Sequence, residues 1–363
     1  MSNNIGQTRV ETGSVTTFTS EGLTDPCWDQ FLLETPLGQF QQSTLWARAK
    51  CFEGWKATRT VLKLDDKILG GFQALTRATR VGRIGYVSKG PILSSVSSPQ
   101  SEYLIDLLRE FAKREKLLAL VVQPPDFSDP LFALPERDFV PFEWTKVIDA
   151  TWLLDLTGGY ETVFQGFNKT ARNHVRRAIK YGFTAREAGR DQLDVFFSLM
   201  STTSERHGQR PNPPSVQHLH ALWDAAEEVG KVRLFFVEHK GTPIVGELCI
   251  AFGKTFTLWK TGWNASEGQY HPTEFSVDQV LRQACSNGNY KLCDFSSFDR
   301  GVAHKMLRGD SRDGLQLSGR DMFHVRFGGF PRLLPQARAY IPNAVLRFAC
   351  RTFESIRRPT REA

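Results

Sequence analysis

The chain has 363 residues, 40% of them apolar and 12% aromatic, and a formal net charge of +7. That length suits two domains with real cores, and the composition excludes a disordered or collagen-like chain. The moderate positive charge fits an anionic substrate, tRNA or an acidic membrane surface, and is too small by itself to mark a nucleic-acid protein. Cys27, Cys51, Cys249, Cys285, Cys293 and Cys350 form no CxxC pair, so a reduced, cytoplasmic setting is expected. The first residues lack a charged and an apolar signal region, and no apolar run reaches about 18 residues, so neither secretion nor a membrane span is expected.

Residues 1–25 read as a loose lead-in or a short edge strand. A helical pattern covers Cys27 to Lys50, with Trp46 toward a core and Arg48 or Lys50 toward solvent. Strands follow at Thr58 to Leu64, Ile68 to Leu75 and Arg83 to Ser88, the last closed by Gly90-Pro91. Gln100 to Lys116 is an amphipathic helix and Leu117 to Val122 a buried strand. Phe127 to Lys146 reads as irregular, and Ala150 to Leu156 as a strand. Helices are expected from Asp191 to Arg206, and from a Ser215 cap to Glu228. Strands at Val232 to Glu238, Ile244 to Phe252 and Thr255 to Trp263 precede a helix at Thr273 to Asn287 and a strand at Lys291 to Phe295.

The halves repeat each other. Ile68-Leu69-Gly70-Gly71 and Ile244-Val245-Gly246-Glu247 each follow a strand and a polar turn. Each is followed by a third strand, a helix and an apolar strand at a nearly constant offset, which argues for duplication. Antiparallel hairpins feeding a helix and a buried strand imply an α/β (α+β) fold, with mixed, mainly antiparallel sheets flanked by helices.

Phe164 to Gly182 opens the second half as a basic helix. Phe164, Phe167, Ala171, Val175, Ala178 and Ile179 fall on one face, and Lys169, Arg172, Arg176, Arg177 and Lys180 on the other. Gly182 takes the C-cap position. No carboxylate lies between Lys169 and Lys180 to pair with these cations. Two readings are open: a solvated surface, or a ridge that binds tRNA or other phosphate.

Five segments carry a resemblance. They are Gln41-Gln42-Ser43 with Trp46, Gly90-Pro91, the run from Lys169 to Gly182, Asp294-Phe295, and Phe323-His324-Val325-Arg326-Phe327-Gly328. In this order and spacing the chain resembles the Fem family of peptidoglycan bridge-forming aminoacyltransferases, relatives of the GNAT N-acetyltransferases. The resemblance implies two tandem GNAT-like domains, at 1–150 and 151–330, with a basic amphipathic tail at 331–363. It also implies acyl transfer from aminoacyl-tRNA to an amine, with no other cofactor. The acceptor would be a peptidoglycan precursor or related peptide, including a lipid-linked one.

Such a reaction needs oriented substrates, a stabilised oxyanion and the handling of one proton. Three candidate catalytic positions emerge: His324, where the family has a lysine; Asp294, at the end of a buried strand; and Tyr86, near Gly90-Pro91. His324 is shorter than lysine and ordinarily half-titrated near neutral pH. Asp294 either orients the amine or caps the next turn, and Tyr86 either lines a first-domain cleft or packs in the core. Trp46, Arg48 and Lys50 are candidates for acceptor binding by the resemblance; Lys305 and Arg308, in an expected polar loop, are candidates for phosphate. Arg80 to Gly85 has the wrong spacing for a CoA pyrophosphate loop.

Two other functions remain. One is an acyl-CoA- or acyl-carrier-dependent N-acyltransferase acting on a sugar or polysaccharide precursor. The other is a non-catalytic RNA- or membrane-binding protein. No metal is expected, since the close pair His218 and His220 has the wrong helical spacing. In the tail, Val345, Ala349, Phe353 and Ile356 share one face, and Arg347, Arg351 and Arg358 another. That pattern suits peripheral contact with the inner membrane face or packing on the fold. The oligomeric state is not legible.

Overall fold

The computed structural model describes residues 8–10, 13–94, 98–128, 133–142, 147–226, 231–286, 288–310 and 315–357. The chain divides into two compact units, the first made of 1–147 with 335–363, the second of 148–334.

The first unit opens with β1 (Thr8–Val10) and β2 (Gly13–Ser20), then α1 (Pro26–Glu34) and α2 (Thr44–Phe52). The single helical pattern expected from Cys27 to Lys50 is therefore two helices, because Pro36 and Gly38 interrupt it. Asp25 caps α1 by accepting the Trp28 amide, and Asp29 on α1 accepts the Thr44 amide at 2.9 Å to cap α2. Next come β3 (Lys56–Leu64), β4 (Lys67–Thr79), β5 (Gly82–Val87), β6 (Ile92–Leu93), α3 (Ser98–Arg114), β7 (Leu117–Val122) and β8 (Phe139–Pro141). β8 lies inside the stretch expected to be irregular.

The second unit contains β9 (Ala150–Asp155), α4 (Gly159–Gly166), α5 (Lys169–Tyr181), β10 (Thr184–Ala188), α6 (Leu193–Arg206), α7 (Val216–Ala226), β11 (Lys231–His239), β12 (Thr242–Phe252) and β13 (Thr255–Trp263). It continues with α8 (Pro272–Cys285), β14 (Leu292–Asp294), α9 (Arg300–Leu307), α10 (Gly319–Val325) and β15 (Phe330–Leu333). The helix expected to reach Glu228 is described only to Ala226, since 227–230 lie outside the described residues. The chain then returns to the first unit with β16 (Arg338–Tyr340) and α11 (Ala344–Arg357).

The two sheets share a plan. The first runs β1-β2-β3-β4-β5-β7-β16-β8 and the second β10-β11-β12-β13-β14-β9-β15. In each, antiparallel strands meet one parallel neighbour after a helical crossover: β5 with β7 across α3, and β13 with β14 across α8. Helix pairs α1–α2 and α6–α7 occupy matching places before β3 and β11. β9 follows β8 along the chain yet completes the second sheet, and β16 follows β15 yet completes the first. The two sheets have exchanged equivalent strands, a feature that no local pattern discloses.

Each unit has its own core. Phe72, Leu104, Leu108, Phe111, Leu120 and Phe139 anchor the first, and Trp152, Phe167, Val175, Phe256, Leu281 and Phe327 the second. Alternating strand faces and the 3.6-residue stripes of α3 and α8 bring these side chains together.

Candidate functional site

In the first unit the Gln-Ser motif is a clamp. Gln42 is fully buried; its Oε1 accepts the Gln73 amide at 2.7 Å, and its Nε2 donates to the Ser88 carbonyl at 2.6 Å. Gly90 closes against it, since a Cβ there would meet the Gln42 amide carbon at 2.6 Å. Gln42 thus ties the middle of β4 to the residue that follows β5, with Gly90 packed against it.

Trp46 is half-buried edge-on to Phe40, and Lys50 Nζ lies 4.7 Å from its ring centre while paired with Glu53 at 2.8 Å. Arg48 Nε donates to the Leu23 carbonyl. Tyr86 is held by Gln123 Oε1 at 3.4 Å, and burial raises its phenol pKa, which suits a packed residue.

The second unit brings two candidates, Asp294 and His324, near each other. β14 pairs with β9 on one side and with β13 on the other, the latter from Thr255 to Thr257 against Leu292 to Asp294; beyond Asp294 the backbone ladder to β13 ends in a fork, where the Phe295 amide donates to Trp152 on β9 and the Ser296 hydroxyl to Leu258 on β13. Just past this fork β13 carries a bulge whose extra residue is Trp259. Asp294 stands at the fork. Its Oδ1 accepts the Thr151 hydroxyl and, at 2.7 Å, the amide of Ser296, whose φ is +69°. The turn-capping role is therefore present.

His324 sits beside the next residue, Phe295, with ring centres 5.1 Å apart. Ser318 caps the N-terminus of α10, which carries His324, by accepting the Asp321 amide at 3.1 Å, and its hydroxyl donates to the Asp321 carboxylate at 2.7 Å. His324 is 8% exposed and its Nδ1 is buried without a partner. Burial, then the charge of Arg320, push its pKa down to about 4. The half-titrated histidine expected from the sequence is instead neutral at pH 7, because a buried imidazolium would lack solvation.

The basic segment is two helices. α4 ends at Gly166, Phe167 is extended, and Asn168 caps α5 by accepting the Ala171 amide at 2.8 Å. Gly182, at φ +99°, closes α5 in the left-handed region. Ala171, Val175 and Ala178 are buried, but Ile179, expected on the same face, is 55% exposed.

The cations have separate fates. Arg172 donates to the carbonyls of Gln165 and Phe167, satisfying the end of α4. Arg176 reaches Asn173 at 3.5 Å, Arg177 lies 5.6 Å from the Tyr270 ring, and Lys169 and Lys180 are exposed. Lys305 and Arg308, expected in a loop, lie on α9 and at its C-cap; both are exposed, and Arg308 is 3.6 Å from Asp310.

Two features have no counterpart in the sequence patterns above. Glu247 on β12 is fully buried; desolvation raises its pKa to about 8, and Thr261 Oγ1 donates to it at 2.9 Å. The fold also assembles His174, His271 and Glu274, about a hundred residues apart in the chain. His218 and His220 are engaged separately, with Ser215 and Asp194. A glutamate in an apolar strand was a visible signal, but no spacing rule links His174 to His271.

The tail places part of its apolar face outward. Val345 and Phe348 are 79% and 72% exposed. Arg347 donates to the Ile341 carbonyl at 2.8 Å, and Arg351 to the Glu136 carbonyl at 2.6 Å. The arginines satisfy backbone carbonyls of the first unit, leaving the apolar face outward. Side chains beyond Thr352, including Phe353, Ile356 and Arg358, lie outside the described residues.

The doubled sheet, its forked parallel strands and the bulge define a tandem GNAT-like protein. Residues 167–310 match the Acetyltransferase (GNAT) domain model, and residues 23–130 match the FemAB family model. A solved structure of FemX superposes with a TM-score of 0.76 at 18% identity, covering 91% of this chain and 99% of that one. A tandem GNAT protein from the clavulanic acid biosynthesis pathway superposes at 0.53 with 9% identity, covering 91% and 99%. Lipid II:glycine glycyltransferases are also similar. That of Staphylococcus saprophyticus is 26% identical over 62% of this chain and 57% of its own length; that of Staphylococcus aureus strain MRSA252 is 26% identical over 72% and 66%. The chain thus spans somewhat less than two thirds of these curated relatives. The chain therefore has the fold of tandem GNAT-like proteins, and its first part resembles the FemAB family. Among the described residues no helix is long and apolar enough to cross a membrane.

Proposed function

We propose that the protein is an N-acyltransferase of Fem type that moves an aminoacyl group from aminoacyl-tRNA to an amine of a lipid-linked peptidoglycan precursor. The observation that carries this reading is the fork at Asp294, with the bulge at Trp259 and buried His324 beside it, in a chain whose relatives are named for glycyl transfer to lipid II.

In the reaction the amine attacks the ester carbonyl, the C–N bond forms, and the tRNA ribose oxygen leaves with a proton. Neutral His324 can accept a hydrogen bond from the attacking amine once its Nδ1, buried in the free protein, is opened toward the substrate. The α5 cations suit the acceptor-stem phosphates. The outward apolar face of α11 suits peripheral contact with the inner leaflet bearing the acceptor.

The test compares donors. Product formation from charged tRNA should be abolished by RNase, and His324→Ala should lower kcat by about 100-fold with KM nearly unchanged. RNase-resistant turnover on an acyl-CoA would replace the donor. Full activity in His324→Ala would remove this residue from the chemistry.

A further inference from the structure

The turn before α8 is held in a strained shape. Ala265, Glu267 and His271 have φ of +65°, +57° and +62°, a backbone region such residues occupy only when their surroundings impose it. Here α5 imposes it. Tyr270 stacks on Tyr181 with ring centres 3.5 Å apart, and His271 on His174 at 3.4 Å and 4°. Buried Glu274, in the first turn of α8, places Oε1 2.9 Å from His174 Nδ1 and 4.0 Å from His271 Nδ1.

We propose that His174, His271 and Glu274 form a site for a zinc-class divalent cation with its fourth position open. Their donor atoms all lie within 4.8 Å of one another. A tetrahedral zinc ion holds nitrogen and oxygen ligands at roughly 2.0–2.2 Å, which sets them roughly 3.3 Å apart. The observed 2.9 and 4.0 Å straddle that spacing, and because the two rings stack in parallel, closing the site requires them to unstack and rotate so that both nitrogens face the ion. Two imidazoles and a carboxylate form a donor set used by open, three-ligand zinc sites.

The surroundings support this chemistry. Thr273 Oγ1 donates to Glu274 Oε2 at 3.0 Å, an outer contact that orients the carboxylate. Arg326 is the competing cation. Its Nη1 lies 3.5 Å from Glu274 Oε1, and its side chain is 30% exposed, so it has room to withdraw. With Arg177 one turn along α5, a bound ion would make this end of α8 strongly positive, and the open position would suit a phosphate or carboxylate oxygen.

The site is independent of the acyl-transfer reading and is tested without it. The full chain, stripped with a chelator, is titrated with Co²⁺ and followed by visible absorption, then by displacement with Zn²⁺. One equivalent should bind and give a d–d band typical of nitrogen and oxygen ligands. Glu274→Gln and His271→Ala should each weaken binding by at least about tenfold, with circular dichroism confirming folding, and Arg326→Gln should tighten it. No band in the wild type, or equal affinity in the two ligand variants, overturns the proposal. If those variants do not fold, an Arg326→Gln affinity no better than wild type overturns it.

Discussion

His324 and Glu247 are buried ionisable groups kept neutral by desolvation, and they impose opposite pH dependences. The His324 pKa falls from 6.5 to about 4 in the fold. The unfolded chain therefore takes up a proton below about 6.5 that the native state refuses, and stability is lost as pH drops from 6.5 toward 4. Glu247 rises from 4.5 to about 8. Here the unfolded chain releases a proton that the native state keeps, and stability is lost as pH rises from 4.5 toward 8. Each tenfold difference in proton affinity between the two states corresponds to about 1.4 kcal/mol. Urea unfolding across pH 4 to 8 should show the acid-side slope reduced in His324→Gln. Glu247→Gln should reduce the alkaline-side slope and gain a few kcal/mol at pH 7.5 relative to wild type. Slopes unchanged in these variants would mean that the groups titrate normally.

At the scale of elements, α5 and α11 show what a helical pattern can and cannot disclose. The basic face of α5, its Gly182 cap and its buried Val175 were legible because 3.6-residue periodicity is a local property. The break at Phe167 was not, since it depends on Asn168 taking a cap and on Phe167 reaching Phe327, with ring centres 5.1 Å apart. Arg172 has a structural task at the end of α4, so it is a poor probe of ligand binding. Arg176→Glu/Lys180→Glu is cleaner: the KM for charged tRNA should rise at least about tenfold while the melting temperature stays near wild type. An unchanged KM would return α5 to a purely structural role. Periodicity in α11 could not say which face looks outward, because the backbone carbonyls that attract Arg347 and Arg351 belong to other segments, and it left exposed Phe348 out of the apolar group. Phe348→Ser should reduce co-sedimentation with anionic vesicles several-fold without destabilising the first unit. Equal sedimentation would assign that face elsewhere.

The whole molecule was legible as a duplication because each half writes the same order of hairpins, helix and apolar strand. Gln42 and Gly90 were visible as motif residues, and the fold gives their reason: one fills the space against the other. The exchange of β9 and β16 was hidden, since a three-residue strand such as Arg338–Tyr340 leaves almost no periodic signal. The candidate site was legible only in part. Asp294 and His324 could be found from the resemblance, whereas the bulge, the buried carboxyl of Glu247 and the His174–His271 stack arise from tertiary packing. The measurement that reaches the central claim most directly is the mass of a lipid-linked peptidoglycan precursor after incubation with the protein and a mixture of charged tRNAs. The acceptor should gain the mass of an aminoacyl residue, bound through an amide at an amine of its peptide. An acceptor whose mass is unchanged, with the tRNA still charged, would contradict the proposed reaction.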